Sequence, residues 1–364
     1  MVYRAIGLMS GSSLDGLDIA YVELEESGGK WAWSIGAAEC RPYDADWSGR
    51  LSAATNLSAL DYQLLHADYG HWLGSEVVRF LNDHGLAYKV ALVASHGHTT
   101  FHLPGRMTGQ LGDGAAIAAE TGLPVVSDLR ALDVALGGQG APIVPMGEKL
   151  LWPGYSHFLN IGGIANLSRH GADSFAAFDV CPANRVLNML AADKGLAYDD
   201  GGRLAAAGKV DPMLLEKLNG LGYYAKEYPK SLANEFGTDT VMSLVREAGS
   251  STEDALATCV AHMAQQVRLA VIRIRAREGS EGDGTMLVTG GGAFNTTLVS
   301  LIRDQLAPFG IRVETADPQV TNYKEALVMA LLGVLRWREE QTVLPSVTGA
   351  RRGSIGGALW LGSE

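Results

Sequence analysis

The chain is short of cysteine, of positive charge and of long apolar runs. Cys40, Cys181 and Cys259 are widely spaced and form no CxxC pair, so the sequence offers no disulfide framework and points to a reducing compartment. Lys and Arg number 29 against 40 Asp and Glu, a formal net charge of −11, which argues against a nucleic-acid polyanion as partner. A locally positive phosphate site remains compatible with that balance. The apolar run nearest the start, Ala5–Met9, is too short for a signal peptide, and the longest later one, Ala326–Leu335, is too short to span a bilayer. A soluble cytoplasmic protein with no membrane partner is therefore the expectation. Glycine, by contrast, is abundant: 45 of 364 residues, about 12% against about 7% on average. These glycines cluster in loops beside predicted strands, a pattern that favours a ligand-binding α/β protein. At about 150 residues per domain, the length suggests two domains.

The most informative stretch opens the chain. Strands are predicted over Ala5–Met9 and Leu17–Leu24, and Gly11, Ser12, Ser13, Leu14, Asp15 and Gly16 connect them, with Leu17 and Asp18 just inside the second. A loop that wraps backbone N–H groups around phosphate oxygens needs glycine for close approach and for positive φ. Hydroxyls add hydrogen bonds there, and a carboxylate can hold Mg²⁺ through its waters. An ordinary Gly/Ser/Asp hairpin turn has the same composition. The loop is neither a Walker A sequence nor a dinucleotide fingerprint, since GK[ST] and a following helix are both missing.

Further along, a third strand is predicted around Trp31–Ala38, then a helix capped by Ser58 with Leu60, Leu64, Trp72, Val77 and Leu81 as its apolar stripe. The apolar run Val90–Ala94 delivers the polar loop Ser95-His96-Gly97-His98-Thr99-Thr100. Asp113–Thr121 reads as a helix and Pro124–Asp128 as a strand, and the breaker-rich Gly137–Pro142 reads as the crossing between domains. The second half repeats the scheme. Strands His157–Ile161 and Ile164–Ser168 flank Gly162-Gly163, and Phe175–Asp179 precedes Cys181-Pro182-Ala183-Asn184 and a helix near Val186. A long helix after Thr252 has Leu256, Val260, Met263, Val267, Val271 and Ile274 on one face. Strand Thr285–Thr289 ends in Gly290, Gly291 and Gly292, followed by Asn295 and a helix from Thr296. The repeat implies two similar domains with a cleft between them.

Duplicated halves with opposed glycine hairpins resemble the actin–hexokinase–heat-shock ATPase superfamily. The segments GLMSGSSLDGLDIA, SHGHTTFH, TGLPVVSDLRALDVALGGQGAPIVP, FLNIGGIANLS, FDVCPANRVLN, PKSLANEFG, VTGGGAFN, NYKEALVMALLG and SVTGARRGSIGGALW resemble, in order, those of the anhydro-N-acetylmuramic acid kinase family. The resemblance implies an α/β, two-lobed actin/hexokinase-like (ribonuclease H-like duplicated) fold with a central ATP/substrate cleft. Residues 1–135 would form the first lobe, which the tail 340–364 could rejoin, and 136–339 the second. It also implies ATP-dependent phosphorylation of 1,6-anhydro-N-acetylmuramic acid with hydrolytic opening of the anhydro ring, and a homodimer. A kinase of the same fold without ring hydrolysis and a non-catalytic cell-wall-fragment sensor are the alternatives.

Residue by residue, the resemblance makes Asp179 the general base for the attacking water, whereas taken alone Asp179 could simply cap the next helix. ATP would be held by Gly11–Asp18, by Gly162 and Gly163, and at its adenosine end by Gly290, Gly291, Gly292 and Asn295, the last of which could equally be a helix cap. Mg²⁺ would be held through water by Asp15 or Asp18. His98 and Thr99 would meet the sugar. Arg130 could pair bidentately with its lactyl carboxylate or cover apolar surface, and Glu325 could face the site or complement a helix dipole. His96, His98 and His102 also invite a zinc reading, which lacks a completing ligand. Cys181 has no visible activating base and reads as a packing residue. Relatives commonly carry Thr-Gly-Pro-Gly where this chain has Val180-Cys181-Pro182-Ala183, which puts the loop's ligand contacts in doubt.

Overall fold

The structure, a computed structural model, describes residues 1–11, 14–171, 175–278 and 283–362. Its strands are β1 (Val2–Ser10), β2 (Gly16–Ser27), β3 (Lys30–Pro42), β4 (Leu92–Leu103), β5 (Met107–Leu111) and β6 (Val125–Ser127), followed by β7 (His157–Ile161), β8 (Ile164–His170), β9 (Phe175–Pro182), β10 (Gly284–Thr289), β11 (Ile311–Thr315) and β12 (Ala358–Trp360). Two compact units emerge: residues 1–153 with 323–364, and residues 154–322.

In the first unit, β1, β2 and β3 form an antiparallel meander, β4 pairs with β1 in parallel, and β6 continues in parallel beside β4. The sheet order β12-β6-β4-β1-β2-β3 contains the run 3-2-1-4-6. In the second unit β11-β10-β7-β8-β9 has the same topology: an antiparallel meander from β7 to β9, then parallel β10 and β11. Each unit thus carries the ribonuclease H-like order, and the sequence repeat is a structural duplication.

Burial follows the chemistry of each segment. The middle of β1 is enclosed and apolar (Ala5, Ile6 and Leu8), whereas edge strand β3 alternates. Ser58 caps the helix Ala59–Asp83 by accepting the Asp61 N–H. Its buried face is Leu65, Tyr69, Leu73, Val77 and Phe80; Leu60 and Leu64, expected on the apolar stripe, are 69% and 54% exposed. Leu64 instead lines an open groove beside the helix Ala45–Ala53, with Arg50, Ala53 and Asp61. In the second unit the helix Thr252–Glu278 buries the expected face from Leu256 to Ile274 in the core, against β9 and the surrounding helices. Residues 252–277 are long and apolar enough to cross a membrane, but 72% of the 18-residue apolar window within them is buried in this core.

The units divide after Pro153 and Asn322, not after 135 and 339. Packing sets both limits. The helix Pro318–Trp337 lies so close to β1 that a Cβ on Gly7 would stand 1.8 Å from the Ala326 carbonyl oxygen, and one on Gly333 would stand 2.5 Å from the Ala94 Cβ. The helix Val144–Leu151 meets Val328 at Gly147. Gly137–Pro142 is therefore no crossing between units: Asp133 accepts the Gly140 N–H, and Gln139 donates to the Thr348 carbonyl. The tail closes within the first unit, with β12 antiparallel to β6.

Replacing Gly7 with Ala should destabilise the protein by about 3 kcal/mol, because the obstructing atom is backbone and cannot swing aside. Gly49→Ala, in the helix Ala45–Ala53 where an added Cβ meets nothing, should instead stabilise by roughly 0.5–1 kcal/mol. Urea unfolding of the two variants checks both signs.

Candidate active site

The first unit gathers polar groups where β1 and β4 end. The β1–β4 register slips between Leu8 and Ser10, so that Ser10 faces His98. Gly97 takes up the irregularity at φ +71°, and a Cβ there would lie 2.4 Å from the Leu111 carbonyl oxygen. This is the physical need for glycine inside His-Gly-His. His98 Nδ1 meets Ser10 Oγ at 3.1 Å, and Ser10 in turn accepts from the Tyr43 hydroxyl at 2.8 Å. Burial lowers the His98 pKa. Thr99 Oγ1 accepts from the Gln110 amide.

His96 is fully engaged. Its Nδ1 lies 2.8 Å from the Gly97 carbonyl oxygen and its Nε2 accepts from Arg130 Nε at 2.8 Å, which identifies a neutral Nδ1–H ring. With both nitrogens used, the zinc reading of His96, His98 and His102 has no geometric support, and among the described residues no His/Cys/Asp/Glu group is arranged to hold a metal directly. Arg130 is no surface cover. It also donates from Nη1 to the Gly140 carbonyl at 2.8 Å, and burial brings its guanidinium down to about 10. Its Nε edge being occupied, a ligand carboxylate would have to meet the two Nη groups.

Glu325 lies seven residues into its helix, which removes the first-turn dipole explanation. Burial raises its carboxyl pKa, and neighbouring Lys324 and Arg130 oppose that shift while Glu148 adds to it. Lys324 and Glu148 are themselves a buried ion pair at 2.6 Å. Asp18 belongs to the same electrostatic neighbourhood. Burial pushes its carboxyl up to about 6, with repulsion from Asp15 and Glu325 adding and a Cys40 hydrogen bond opposing. The Cys40 thiol is correspondingly driven up to about 12, chiefly by burial. Among the described residues of the loop, positive φ falls on Leu14 at 58° and not on Gly16. A non-glycine residue there costs on the order of 1–2 kcal/mol. Gly16 is instead required by closeness, since its Cβ would be 2.6 Å from Cys40 Sγ. Ser12 and Ser13 lie outside the described residues.

The second unit brings two glycine loops together. Gly290, at φ +77°, would place a Cβ 2.6 Å from Asn160 Oδ1 and 2.7 Å from the Ile161 carbonyl oxygen; a Cβ on Gly292 would stand 2.2 Å from Ile161 Cγ2. The loop after β10 therefore rests on the end of β7. Gly162 and Gly163 differ: a Cβ on either would meet nothing nearer than 3.6 Å, so packing within the unit does not demand glycine there. Their carbonyls accept from the Asn184 and Ala183 N–H groups, and the Asn184 side chain donates to the Ile161 carbonyl. Arg185 follows, its guanidinium beside Gly163 and its Nε buried with no hydrogen-bond partner. Gly291 borders Asn184, whereas Asn295 is the N-cap of the helix Thr296–Leu306, accepting the Leu298 N–H at 2.9 Å.

Asp179 is not a helix cap. Strand β9 continues to Pro182, so Asp179 sits inside it opposite Asn166. Its Oδ2 accepts the Leu232 N–H at 2.8 Å, its own N–H donates to the Lys230 carbonyl, and its carbonyl accepts from Tyr223 Oη at 2.6 Å. Burial raises its pKa despite the Leu232 hydrogen bond. Cys181 is fully buried and its thiol pushed up, as suits packing. Ala183 turns the chain at φ −134°, without a left-handed residue. Sequence reasoning missed Ser10, Tyr43, Asn160, Arg185, Tyr223 and Leu232. Ser10, Asn160, Arg185 and Leu232 lie within the segments GLMSGSSLDGLDIA, FLNIGGIANLS, FDVCPANRVLN and PKSLANEFG, whereas Tyr43 and Tyr223 lie outside every such segment.

Two α/β units of one ribonuclease H-like order, each with a glycine hairpin after its first strand, define an actin/hexokinase-like duplicated fold. The anhydro-N-acetylmuramic acid kinase family model matches residues 3–362. A protein of that name from Streptomyces coelicolor is 35% identical, covering 99% of this chain and 94% of its own length. Its namesake from Paramagnetospirillum magneticum is 37% identical, covering 97% and 98%. Among solved structures, component A of the (R)-2-hydroxyglutaryl-CoA dehydratase of Acidaminococcus fermentans aligns over 91% of this chain and 97% of its own at 17% identity and TM-score 0.47. The chain belongs to the anhydro-N-acetylmuramic acid kinase family and is a kinase.

Burial, followed by the charge of Arg130, brings the His96 pKa from 6.5 to about 3. The unfolded chain takes up this proton near 6.5 and the folded one does not until about 3, so His96 lowers stability progressively as the pH falls through that window. Urea unfolding at about pH 7 and about pH 5 should show a smaller acid loss in His96→Gln than in the parent.

Proposed function

We propose that the protein transfers the γ-phosphoryl group of ATP to O6 of 1,6-anhydro-N-acetylmuramic acid while water opens the anhydro bridge. The products would be N-acetylmuramic acid 6-phosphate and ADP, a step of peptidoglycan recycling in the cytoplasm, performed by a homodimer. The names of the relatives support the substrate. The observation that carries the hydrolytic half is Asp179: a carboxylate whose Oδ2 is held by a backbone N–H and whose pKa burial raises toward that of a working base.

Asp179 takes a proton from water as the water oxygen bonds to the anomeric carbon. The bond from that carbon to O6 breaks, and O6 accepts the phosphoryl group as ADP departs. The proton taken by Asp179 balances the step. With Oδ2 engaged by Leu232, Oδ1 is the oxygen left for water. His98, Thr99, Arg130 and Glu325 would bind the sugar, the two Nη groups of Arg130 facing the lactyl carboxylate.

The described residues fit a nucleotide in two respects. Gly162 and Gly163 keep open the space that a Cβ would fill, and the orphaned Nε of Arg185 lies beside them, suited to an anion. Gly11 and the loop through Asp18, with Gly290 to Gly292, would complete the nucleotide contacts, whereas Asn295 would contribute mainly by capping its helix. Mg²⁺ would offset the negative charge of the phosphates as ADP leaves. Asp15 and Asp18 would hold it through water, and the raised pKa of Asp18 suits a carboxylate awaiting a cation.

Mass spectrometry of the sugar after incubation with Mg·ATP should show one added phosphoryl group together with one added water. Phosphoryl without water would identify an ordinary sugar kinase, and an unchanged sugar with nucleotide bound would identify a sensor. Asp179→Asn should keep the fold and ATP binding while turnover falls by about 10²–10⁴-fold. A variant of near-normal rate would remove Asp179 from the role.

A further inference from the structure

Four groups in the first unit form a hydrogen-bonded row. The Tyr69 and Tyr43 hydroxyls lie 2.6 Å apart, Tyr43 donates to Ser10 Oγ at 2.8 Å, and Ser10 Oγ lies 3.1 Å from His98 Nδ1. Tyr69 is wholly buried, Ser10 and His98 nearly so, and the four residues come from four parts of the fold: Ser10 from β1, Tyr43 from the segment after β3, Tyr69 from the helix Ala59–Asp83 and His98 from β4.

Proton accounting leaves little freedom here. A hydroxyl has one proton to donate. That of Tyr43 goes to Ser10, so the Tyr69 proton points toward Tyr43 or toward the neighbouring Ser10 oxygen. In either case Ser10 receives, and its own proton has one remaining hydrogen-bonded outlet, His98 Nδ1. Leaving that buried proton unpaired would cost about 1–3 kcal/mol. Among the described residues, His98 Nε2 takes no partner and is not shut away from solvent.

We propose that Tyr69, Tyr43 and Ser10 are positioning residues that hold His98 as the Nε2–H tautomer, so that its free edge is a hydrogen-bond donor selecting an acceptor oxygen on the ligand. A carbonyl, ether, carboxylate or phosphate oxygen fits this edge, and an N–H or a hydroxyl acting as donor does not. The neighbouring histidine has the opposite form: His96 is Nδ1–H because Arg130 occupies its Nε2. Two histidines separated by one glycine are thus set to opposite tautomers by their partners.

The part played toward the sugar rests on the function proposed above, but the tautomer does not. Nitrogen-15 NMR of histidine-labelled full-length protein without ligand reads it directly, with His98→Gln assigning the signals. The expected spectrum has a protonated Nε2 and a bare Nδ1 at His98. In the double variant Tyr43→Phe/Tyr69→Phe, Ser10 loses its donors and can accept from the ring, so the Nδ1–H form should appear. With 1,6-anhydro-N-acetylmuramic acid as substrate, the KM of that variant should rise about tenfold and kcat should change less, the tenfold corresponding to about 1.4 kcal/mol. Nδ1–H in the parent protein overturns the proposal. So does a double variant that loses stability yet keeps the parent's tautomer, since the row would then serve packing alone. Should the sugar prove not to be a substrate, the function above fails while the NMR result still decides the tautomer.

Discussion

The close seat of one helix on one strand governs the first unit. A side chain on Gly7 would stand 1.8 Å from the Ala326 carbonyl, and that approach draws the helix Pro318–Trp337 out of its sequence neighbourhood and onto β1. Tight packing of this kind tolerates no extra atom and fixes the helix in rotation and height. Glu325, the residue beside Ala326, is thereby carried into the electrostatic company of Asp18 and Arg130. The central strand that accepts the helix also ends at Ser10, from which the candidate phosphate loop departs. One steric constraint thus positions a helix carboxylate and a loop, residues that the sequence separates by some three hundred positions.

Around that frame the charges are arranged by burial as much as by pairing. Arg130 gives Nε to His96 and one Nη1 hydrogen to the Gly140 carbonyl. Lys324 and Glu148 neutralise one another in the interior, an arrangement that holds a geometry more than it adds stability. Burial is the main cause of the raised pKa values of Asp18 and Glu325. In the second unit, Asp179 is held at its amide, its carbonyl and one carboxylate oxygen, which orients the other.

Much of the scaffold was legible from pattern. The strands around Ala5–Met9, His157–Ile161 and Thr285–Thr289 and the apolar face from Leu256 to Ile274 fall where periodicity puts them, because each is decided by residues close in sequence. The Ser58 cap was equally local. Long-range partners were not readable in this way. Leu60 and Leu64 have the right spacing yet stay exposed, and Gly137–Pro142 has the composition of a linker yet is folded by Asp133 and Thr348. Composition also suggested that glycine would carry positive φ in the first loop, whereas Leu14 does so.

The sequence by itself determined that this is a duplicated α/β protein with glycine-rich strand ends and, through its ordered segments, the family to which it belongs. Local propensity and apolar periodicity are written residue by residue, and motifs keep their order along the chain. Only the tertiary structure decided that Asp179 lies within a strand clamped by Leu232 and that Asn295 is spent as a cap. It alone set His96 and His98 against different partners and ran a row of hydroxyls from Tyr69 to His98. Hydrogen-bond partners, burial and the pKa values that follow from them depend on which distant backbone arrives beside a side chain, and packing settles that only once the whole unit has closed.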